Sequence, residues 1–392
     1  MSIYLFNPDN DHALASFLTN YTPPRVALEI AHDLELLPLW YALPNSKIIT
    51  QQPASQSYLN ELQQQFDLQA TLITWDEIKE HTTSTLQPWG WSPMLRRKLE
   101  RIGVNEQQLP TQEWLQQLRH YSHREQAVAL LNHLLPTDPR LCGESHHFTT
   151  QAALQQWLNQ TPSDKILKMP LSGSGRGIQN ILGGITPQQE QWVARVIQQQ
   201  GGVIGEQLLD KVQDFAMEFS IHNGAAQFIG YSLFDTTIGG AYTGNRIMTD
   251  SAVEIELSQY IDPALLHHVQ QTILEQLPQL FPHYHGTLGI DMLICRQGNS
   301  YALQPCIEIN VRMNMGIVAH QFYHRHVVSG TVGTYRVDYF KSVGEALAFH
   351  QEKQQSAPLI LHNQRIQSGY LALNAVTAET HYVAWVEIET KQ

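Results

Sequence analysis

The feature that most constrains this sequence is the segment Leu171–Ile178, which reads Leu-Ser-Gly-Ser-Gly-Arg-Gly-Ile. It follows the apolar run Lys165–Pro170 and continues into Gln179–Leu182, and both flanking segments are typical of strands. A dinucleotide-binding fingerprint needs GxGxxG and a following helix, and a P-loop needs Gly-Lys-Ser/Thr. Here the spacing is GxGxG, a strand follows, and no Gly-Lys pair occurs. The pattern predicts a strand, a flexible glycine lid and a second strand, and an ordinary glycine-rich hairpin turn is the alternative.

Strand-like and helix-like segments alternate in the region that precedes this loop. Apolar runs at Ile3–Phe6, Ser46–Thr50 and Ala70–Thr74 are separated by helical stretches such as Ser55–Phe66. Strands that alternate with helices usually form a parallel sheet. We therefore expect residues 1–120 to form a small α/β domain, and a chain of 392 residues has room for one or two more domains.

Charge and composition exclude several classes of function. The chain has 24 Lys and Arg against 36 Asp and Glu, which argues against a nucleic-acid-binding protein because such proteins present basic patches to phosphates. Three cysteines without a CxxC pair indicate a reducing compartment. The N-terminus lacks a signal-peptide pattern, and no run approaches 18 apolar residues. We expect a cytoplasmic protein that binds neither nucleic acid nor membrane.

Two apolar strands, Gly286–Ile294 and Tyr301–Arg312, flank the turn sequence Gln-Gly-Asn-Ser and predict a β-hairpin. A two-residue loop would place Asp291 opposite Cys306, with Glu308 as its diagonal neighbour. Asn310 would share their face because side chains alternate along a strand. The predicted core face of the hairpin comprises Ile290, Met292, Ile307, Ile309 and Val311.

The three oxygen donors Asp291, Glu308 and Asn310 would thus line one face of an otherwise apolar hairpin. Buried carboxylates without partners are costly, and a hard cation such as Mg²⁺ removes that cost. Arg312 follows two positions later, where its guanidinium could meet a phosphate. The alternative is a hairpin whose polar face is simply solvated.

The order of these motifs resembles the ATP-grasp superfamily, in particular its carboxylate-amine ligases. The matching features are Lys168 before the glycine hairpin, the Glu-Gln-Leu-Leu segment at Glu206, the Glu-Phe-Ser-Ile-His segment at Glu218, and the two strands of the hairpin. They extend from Ser122 to Met315. The resemblance implies an α/β N-terminal domain, then an α+β ATP-grasp fold whose two subdomains clasp ATP between antiparallel sheets, and a C-terminal extension. The implied boundaries are 1–120, 121–210, 211–330 and 331–392.

The resemblance also implies a role for each matching residue. Lys168 and the glycine loop would contact the phosphates, Glu206 to Leu208 would form the hinge against adenine, and Glu218 would bind the ribose. Arg124 stands where the family usually has a phosphate-binding lysine. The implied ATP-binding set is Arg124, Lys168, Ser172, Gly173, Ser174, Gly175, Arg176, Gly177, Glu206, Gln207, Leu208 and Glu218. Asp291, Glu308 and Asn310 would hold one or two Mg²⁺, or Mn²⁺ in their place, and Arg312 would contact the γ-phosphate or an acyl phosphate.

The implied reaction is the ATP-dependent joining of a carboxylate to an amine or thiol through an acyl phosphate, on a small molecule or a peptide end. An ATP-grasp kinase and a nucleotide-binding regulator without turnover are the alternatives. Arg246 ends the glycine-rich segment Gly239–Arg246 and is a candidate catalytic residue that grips a substrate carboxylate or phosphate, although a plain solvent loop explains the segment equally well. The oligomeric state is left open.

Two further groups of polar residues are candidates for binding, one rich in histidine and one near the N-terminus. His320 and His324 are spaced i and i+4 on a predicted helix, with His326 close by. Zinc needs further ligands, and none is evident nearby in the sequence, so a surface or substrate-side cluster is favoured. The segment Asn7–His12 follows the first strand, where it could contact an acceptor substrate or simply form a turn and helix cap.

Overall fold

The computed structural model describes residues 1–160, 163–173, 177–237 and 242–390. The first region contains a parallel sheet in the order β3-β2-β1-β4, as the alternating pattern predicts. Its strands are Ser2–Leu5 (β1), Ser46–Ile49 (β2), Ala70–Ile73 (β3) and Thr85–Pro88 (β4). The helices that precede the second sheet in the chain are Asn10–Ser16 (α1), Arg25–Asp33 (α2), Pro53–Gln63 (α3), Pro93–Arg101 (α4), Gln112–Tyr121 (α5) and Glu125–Leu134 (α6). Short 3-10 helices cover Leu37–Trp40, Ile78–Glu80, Glu106–Gln108 and Leu135–Thr137.

A second, antiparallel sheet has the order β5-β8-β6-β7. It consists of Ser145–Phe148 (β5), Lys165–Lys168 (β6), Ile178–Ile181 (β7) and Val203–Gln207 (β8), with helices Gln151–Gln160 (α7) and Pro187–Gln200 (α8). Strands β6 and β7 pair from Lys168 and Ile178 outward, so the glycine segment does connect two strands. Helix α8 begins with a capping box between Thr186 and Gln189, which fixes the start of the helix after β7.

The third sheet has nine antiparallel strands in the order β13-β12-β9-β10-β11-β14-β17-β16-β15. They are Lys211–His222 (β9), Ala225–Thr236 (β10), Tyr242–Ile247 (β11), Gly286–Gln297 (β12), Ser300–Asn310 (β13), Gly333–Tyr339 (β14), Ile360–His362 (β15), Arg365–Ala372 (β16) and Tyr382–Ile388 (β17). Its helices are Asp250–Leu257 (α9), Pro263–Leu280 (α10), Met315–His326 (α11) and Glu345–Ser356 (α12). The strands after residue 331 therefore extend this sheet, while the division of the chain into four domains stays a prediction.

The two faces of the third sheet differ because side chains alternate along its strands. On β9, Phe215, Met217 and Phe219 are buried against α10 and α6 in the largest apolar cluster. The alternate residues of the strand, Asp214 and Glu218 among them, project from the opposite face, on which α11 packs. The polar positions of the hairpin therefore share a surface with the first turn of α11. Within the described residues, no helix is long and apolar enough to cross a membrane.

Candidate active site

The hairpin β12–β13 brings the predicted metal ligands together in a register that differs from the expected one. Next to the turn, Gln297 pairs with Ser300 and Leu293 with Gln304, as predicted. The register then shifts between Asp291 and Leu293, so that Asp291 pairs with Glu308. The prediction that Asp291 lies opposite Cys306 is therefore wrong.

The cause of the shift is an irregularity in β13 at Pro305. Proline has no N–H to donate to the ladder, so it is found at bulges rather than in regular central strands. The next amide, that of Cys306, donates instead to the side-chain Oε1 of Gln304 at 2.6 Å. Within this irregular stretch Cys306 faces the large apolar cluster, and Ile307 packs on the other side beside Leu209. Placing Ile307 on the core face was therefore also wrong.

Asp291 and Glu308 now face each other directly across the hairpin. Burial, and then the charge of Glu308, raise the pKa of Asp291 to about 7. The amide Nδ2 of Asn310 donates to Asp291 Oδ2 at 3.2 Å and partly offsets this effect. Two carboxylates and an amide oxygen on one face form the donor set that Mg²⁺ prefers, and a cation there would relieve the repulsion. The residues present therefore fit the Mg²⁺ that the sequence resemblance implies.

Arg124, at the start of α6, connects this hairpin to the glycine loop. Its Nη2 donates to Glu308 Oε1 at 2.7 Å, and its Nη1 donates to Met169 O and to Ser172 Oγ, each at 2.6 Å. The side chain is almost fully buried, and its Nε has no hydrogen-bond partner. The guanidinium of Arg124 thus makes several contacts in a forked geometry that a single ammonium group does not have.

Lys168 and Glu206 form a buried ion pair between β6 and β8, with Nζ and Oε2 2.7 Å apart. The amide N–H groups of Gln207 and Leu208, the other predicted hinge residues, donate to Glu144 O and Asp164 O. The adenine-binding role of this segment stays a prediction. Burial, and then the charges of Glu206 and Asp291, raise the pKa of the Cys306 thiol.

Glu218 lies at the centre of the polar face, where it is 1% exposed. Asn314 Nδ2 donates to its Oε2 at 2.8 Å. Burial, and to a lesser degree Asp291, raise the pKa of Glu218 to about 8. Glycines at 289 and 316 make room for the carboxylate, because a Cβ at either position would overlap its oxygens. The structure thus places Glu218 beside the hairpin β12–β13, and its ribose-binding role stays a prediction.

Arg312 forms a two-pronged ion pair with Asp11 of α1. Arg312 Nε donates to Oδ1 and Nη2 to Oδ2, both at 2.6 Å, and Nη2 also donates to Asn310 Oδ1 at 3.2 Å. Gly173 of the glycine loop lies against the same carboxylate, since a Cβ there would overlap Asp11 Oδ2. The segment Asn7–His12 therefore contributes to the site through Asp11, a residue that the sequence analysis did not single out.

The structure does not bring Arg246 into this cluster. Arg246 Nη1 forms an ion pair with Glu256 Oε2 of α9 at 2.5 Å, and the side chain is 43% exposed. Its neighbour Asn245 points to the other face of β11, where it is buried and donates to Ser232 Oγ at 2.6 Å. The predicted substrate role of Arg246 thus has no support from its contacts, and residues 239–241 of that loop, like Ser174, Gly175 and Arg176, lie outside the described residues.

Asp214 is a further polar residue of the face that the sequence analysis missed. It accepts hydrogen bonds from Lys211 Nζ and Thr236 Oγ1, both at 2.7 Å, and its charge contributes to the raised pKa of Asp291. The two-residue period of β9 that directs Glu218 to the polar face also directs Asp214 there, so the alternation along the strand would have identified it.

No protein-family profile matches the chain, and no curated protein matches it in sequence. Its fold, however, matches solved structures along its whole length. Biotin carboxylase from Campylobacter jejuni, solved as a β-γ-ATP complex, is 10% identical and aligns with a TM-score of 0.56 over 100% of this chain and 88% of its own. The biotin carboxylase domain of Hydrogenobacter thermophilus 2-oxoglutarate carboxylase was solved in complex with MgADP, ADP and bicarbonate. It is 10% identical and aligns with a TM-score of 0.53 over 100% of this chain and 86% of its own. N5-carboxyaminoimidazole ribonucleotide synthetase from Thermus thermophilus is 11% identical and aligns with a TM-score of 0.51 over 100% of this chain and 94% of its own. The chain has the ATP-grasp fold.

Proposed function

We propose that this protein is an ATP- and Mg²⁺-dependent ligase that joins a carboxylate to an amine or thiol through an acyl phosphate. The observation that carries the proposal is the convergence of Asp291, Glu308 and Asn310 with Arg124 and Arg312. These residues come from separate parts of the chain and meet beside the glycine loop. The solved structures of similar fold include ATP and MgADP complexes, which supports the same use of the fold here.

The charges of the cluster suit a nucleoside triphosphate. Three cations, Lys168, Arg124 and Arg312, are each paired with a carboxylate in the protein alone. A triphosphate would compete for these cations, and the freed carboxylate of Glu308 would join Asp291 and Asn310 in holding Mg²⁺. Bound there, Mg²⁺ would neutralise phosphate charge and orient the transferring group.

The reaction needs no covalent intermediate on the protein. A carboxylate oxygen of the acid attacks the γ-phosphorus, the bond to the β-γ bridging oxygen breaks, and ADP leaves. The amine or thiol then attacks the acyl carbon, inorganic phosphate leaves, and the nucleophile loses its proton. Arg312 would orient the carboxylate and stabilise charge on the transferring phosphoryl group, and Arg124 and Lys168 would hold the remaining phosphates.

The cysteine beside the site is unsuited to nucleophilic chemistry. Burial raises the pKa of the Cys306 thiol well above its ordinary value, and the nearby carboxylates add to that effect. A thiol that stays protonated is a poor nucleophile. This supports transfer by positioning and electrostatics over a cysteine-based mechanism.

The first test is the thermal unfolding midpoint with ATP and Mg²⁺, alone and together, followed by assays of ADP and phosphate release with panels of carboxylate and amine pairs. We expect a midpoint increase that needs both ligands, and stoichiometric ADP and phosphate release with one acid and one nucleophile. Phosphate retained on an acceptor would identify a kinase, and binding without turnover a regulator.

The variant for this test is Glu308→Gln, which removes the metal-binding charge while keeping the shape of the side chain. Glu256→Gln is the matched control, because Glu256 also pairs with an arginine but lies outside the cluster. We expect Glu308→Gln to abolish turnover and Glu256→Gln to retain it. Turnover unchanged in Glu308→Gln would overturn the proposed metal site.

A further inference from the structure

A second constellation of metal-binding side chains lies on α11, apart from the hairpin. His320 and His324 are one turn apart on this helix, and Asp250 is the first residue of α9. Asp250 Oδ2 lies 3.3 Å from His320 Nε2 and 3.9 Å from His324 Nε2. Within the part of the chain that the structure describes, these three form the one group of His, Cys, Asp or Glu residues whose ligand atoms all lie within 4.8 Å of one another.

These distances match the geometry of a bound transition metal. Zinc binds imidazole nitrogen and carboxylate oxygen at about 2.0–2.2 Å, so two tetrahedral ligands are roughly 3.3–3.6 Å apart. The separation of 3.3 Å lies within this range, and that of 3.9 Å slightly exceeds it. Side chains of His324 and Asp250 are 44% and 32% exposed, which leaves a route by which an ion can enter.

The surroundings hold the three side chains in place. The amide N–H of Tyr231 donates to Asp250 Oδ1 at 2.9 Å, which leaves Oδ2 for the two imidazoles. The ring of His320 lies directly on Gly230, where any Cβ would overlap it, and the two imidazole rings are 4.2 Å apart between centroids. A hydrogen-bond donor that orients a metal-binding carboxylate is typical of metal sites in proteins.

The protein alone leaves this cluster incompletely paired. The side chain of His320 is only 8% exposed, and its Nδ1 has no hydrogen-bond partner. Both Nε2 atoms converge on one carboxylate oxygen. A small cavity of about 10 Å³, lined by His320 and Ser232 among others, adjoins the ring and has room for roughly one water molecule.

We propose that Asp250, His320 and His324 bind a divalent transition metal, Zn²⁺ in particular, through Oδ2 and the two Nε2 atoms, with a water as fourth ligand. The site is separate from the Mg²⁺ site proposed above and does not depend on it, because imidazole ligands select transition metals whereas oxygen donors select Mg²⁺. A metal here joins α9 to α11. The N-cap of α11 is Asn314, which holds Glu218, so the metal supports the helix that borders the active-site face.

The test uses the full chain, stripped of metal by a chelator and titrated with Co²⁺ and then with Zn²⁺. We expect one Co²⁺ per chain, visible absorption bands of a four-coordinate site, and displacement of Co²⁺ by one equivalent of Zn²⁺. Zn²⁺ should also raise the thermal unfolding midpoint of the stripped protein.

The variant is His324→Gln, because this side chain is partly exposed and its loss leaves the core intact. Asp250→Asn tests the carboxylate, and His268→Gln on the exposed face of α10 is the matched control. We expect at least a hundredfold weaker Co²⁺ binding in the first two variants and unchanged binding in the control. Glu308→Gln should bind Co²⁺ as wild type does, so a failure of the proposed function leaves this test unaffected.

Two results would overturn the proposal. One is the absence of absorption bands and of midpoint change at millimolar Co²⁺ or Zn²⁺ in folded wild-type protein. The other is equal binding by wild type and His324→Gln, which would assign the metal to other histidines of the chain.

Discussion

Arg124 and Glu308, 184 positions apart in the sequence, form an ion pair of 2.7 Å between Nη2 and Oε1. The same guanidinium holds Met169 O and Ser172 Oγ through Nη1. One buried side chain therefore connects a predicted metal ligand to the base of the glycine loop. A ligand that binds at either place and changes the contacts of Arg124 would therefore also affect the other place.

We predict that Arg124→Lys destabilises the ligand-free protein by about 1–3 kcal/mol, although it retains the positive charge. One ammonium group does not reproduce the three forked contacts, and unpaired partners in a buried site carry a penalty of this size. Urea unfolding at neutral pH measures the change. Arg325→Lys is the control, because Arg325 donates to two backbone carbonyls of the first region and lies outside the cluster. Equal stability of Arg124→Lys and wild type would show that the fork is unimportant.

Lys168→Met should cost roughly 3–5 kcal/mol of stability, because it leaves the buried carboxylate of Glu206 without its partner. The double variant Lys168→Met with Glu206→Gln should recover most of that loss, since no buried charge remains. It should nevertheless show no midpoint increase with MgATP. A double-mutant cycle of thermal midpoints measures both effects, and an ATP response retained in the double variant would contradict the phosphate role of Lys168.

The raised pKa of Asp291 predicts a specific pH dependence. A carboxyl group whose folded pKa of about 7 exceeds its ordinary value binds its proton more tightly in the folded state. Its contribution to stability is complete below about pH 4 and is lost as the pH rises through about 7. The midpoint of ligand-free wild type should therefore fall by a few degrees relative to Asp291→Asn between about pH 5 and 8.

Metal binding should show the opposite trend with pH. A Mg²⁺ ion displaces the proton of Asp291, so the midpoint increase caused by MgATP should be larger at about pH 8 than at about pH 6. In Asp291→Asn this pH dependence should be much weaker. A response to MgATP that does not change with pH in wild type would remove Asp291 from the metal site.

Gly173→Ala should weaken nucleotide binding by moving the glycine loop away from Asp11. A Cβ at this position would overlap the Asp11 carboxylate, which is held by Arg312. We expect at least a tenfold higher concentration of ATP for half-maximal midpoint increase, with little change in the stability of the ligand-free protein. Gly183→Ala is a control for the second sheet, since space around that position is open, although its φ of 70° makes some loss of stability expected there.

The order and type of the elements followed from local patterns. Strands β1 to β3 of the parallel sheet, the two strands around the glycine loop and the turn at residues 297–300 all lie where alternation, apolar runs and turn residues predicted them, whereas β4 was not predicted. Each of these features depends on neighbours within a few positions, which is the range over which a sequence pattern carries information. The polar face of the hairpin was predictable for the same reason.

The partners of the charged residues were decided only by the tertiary structure. Asp11 meets Arg312 across 301 positions, and Asp250 meets His320 across 70, although no spacing in the sequence relates the members of either pair. The bulge at Pro305 shifted the pairing so that Asp291 lies opposite Glu308 instead of Cys306, and strand alternation alone does not predict such a shift. The sequence by itself determined where most of the strands lie and which hairpin residues are polar, because those features depend on local periodicity. The pairing of each cation with a carboxylate depended on how the three sheets pack. A buried charge is stable only beside a partner, and only the tertiary structure decides which partner lies close enough.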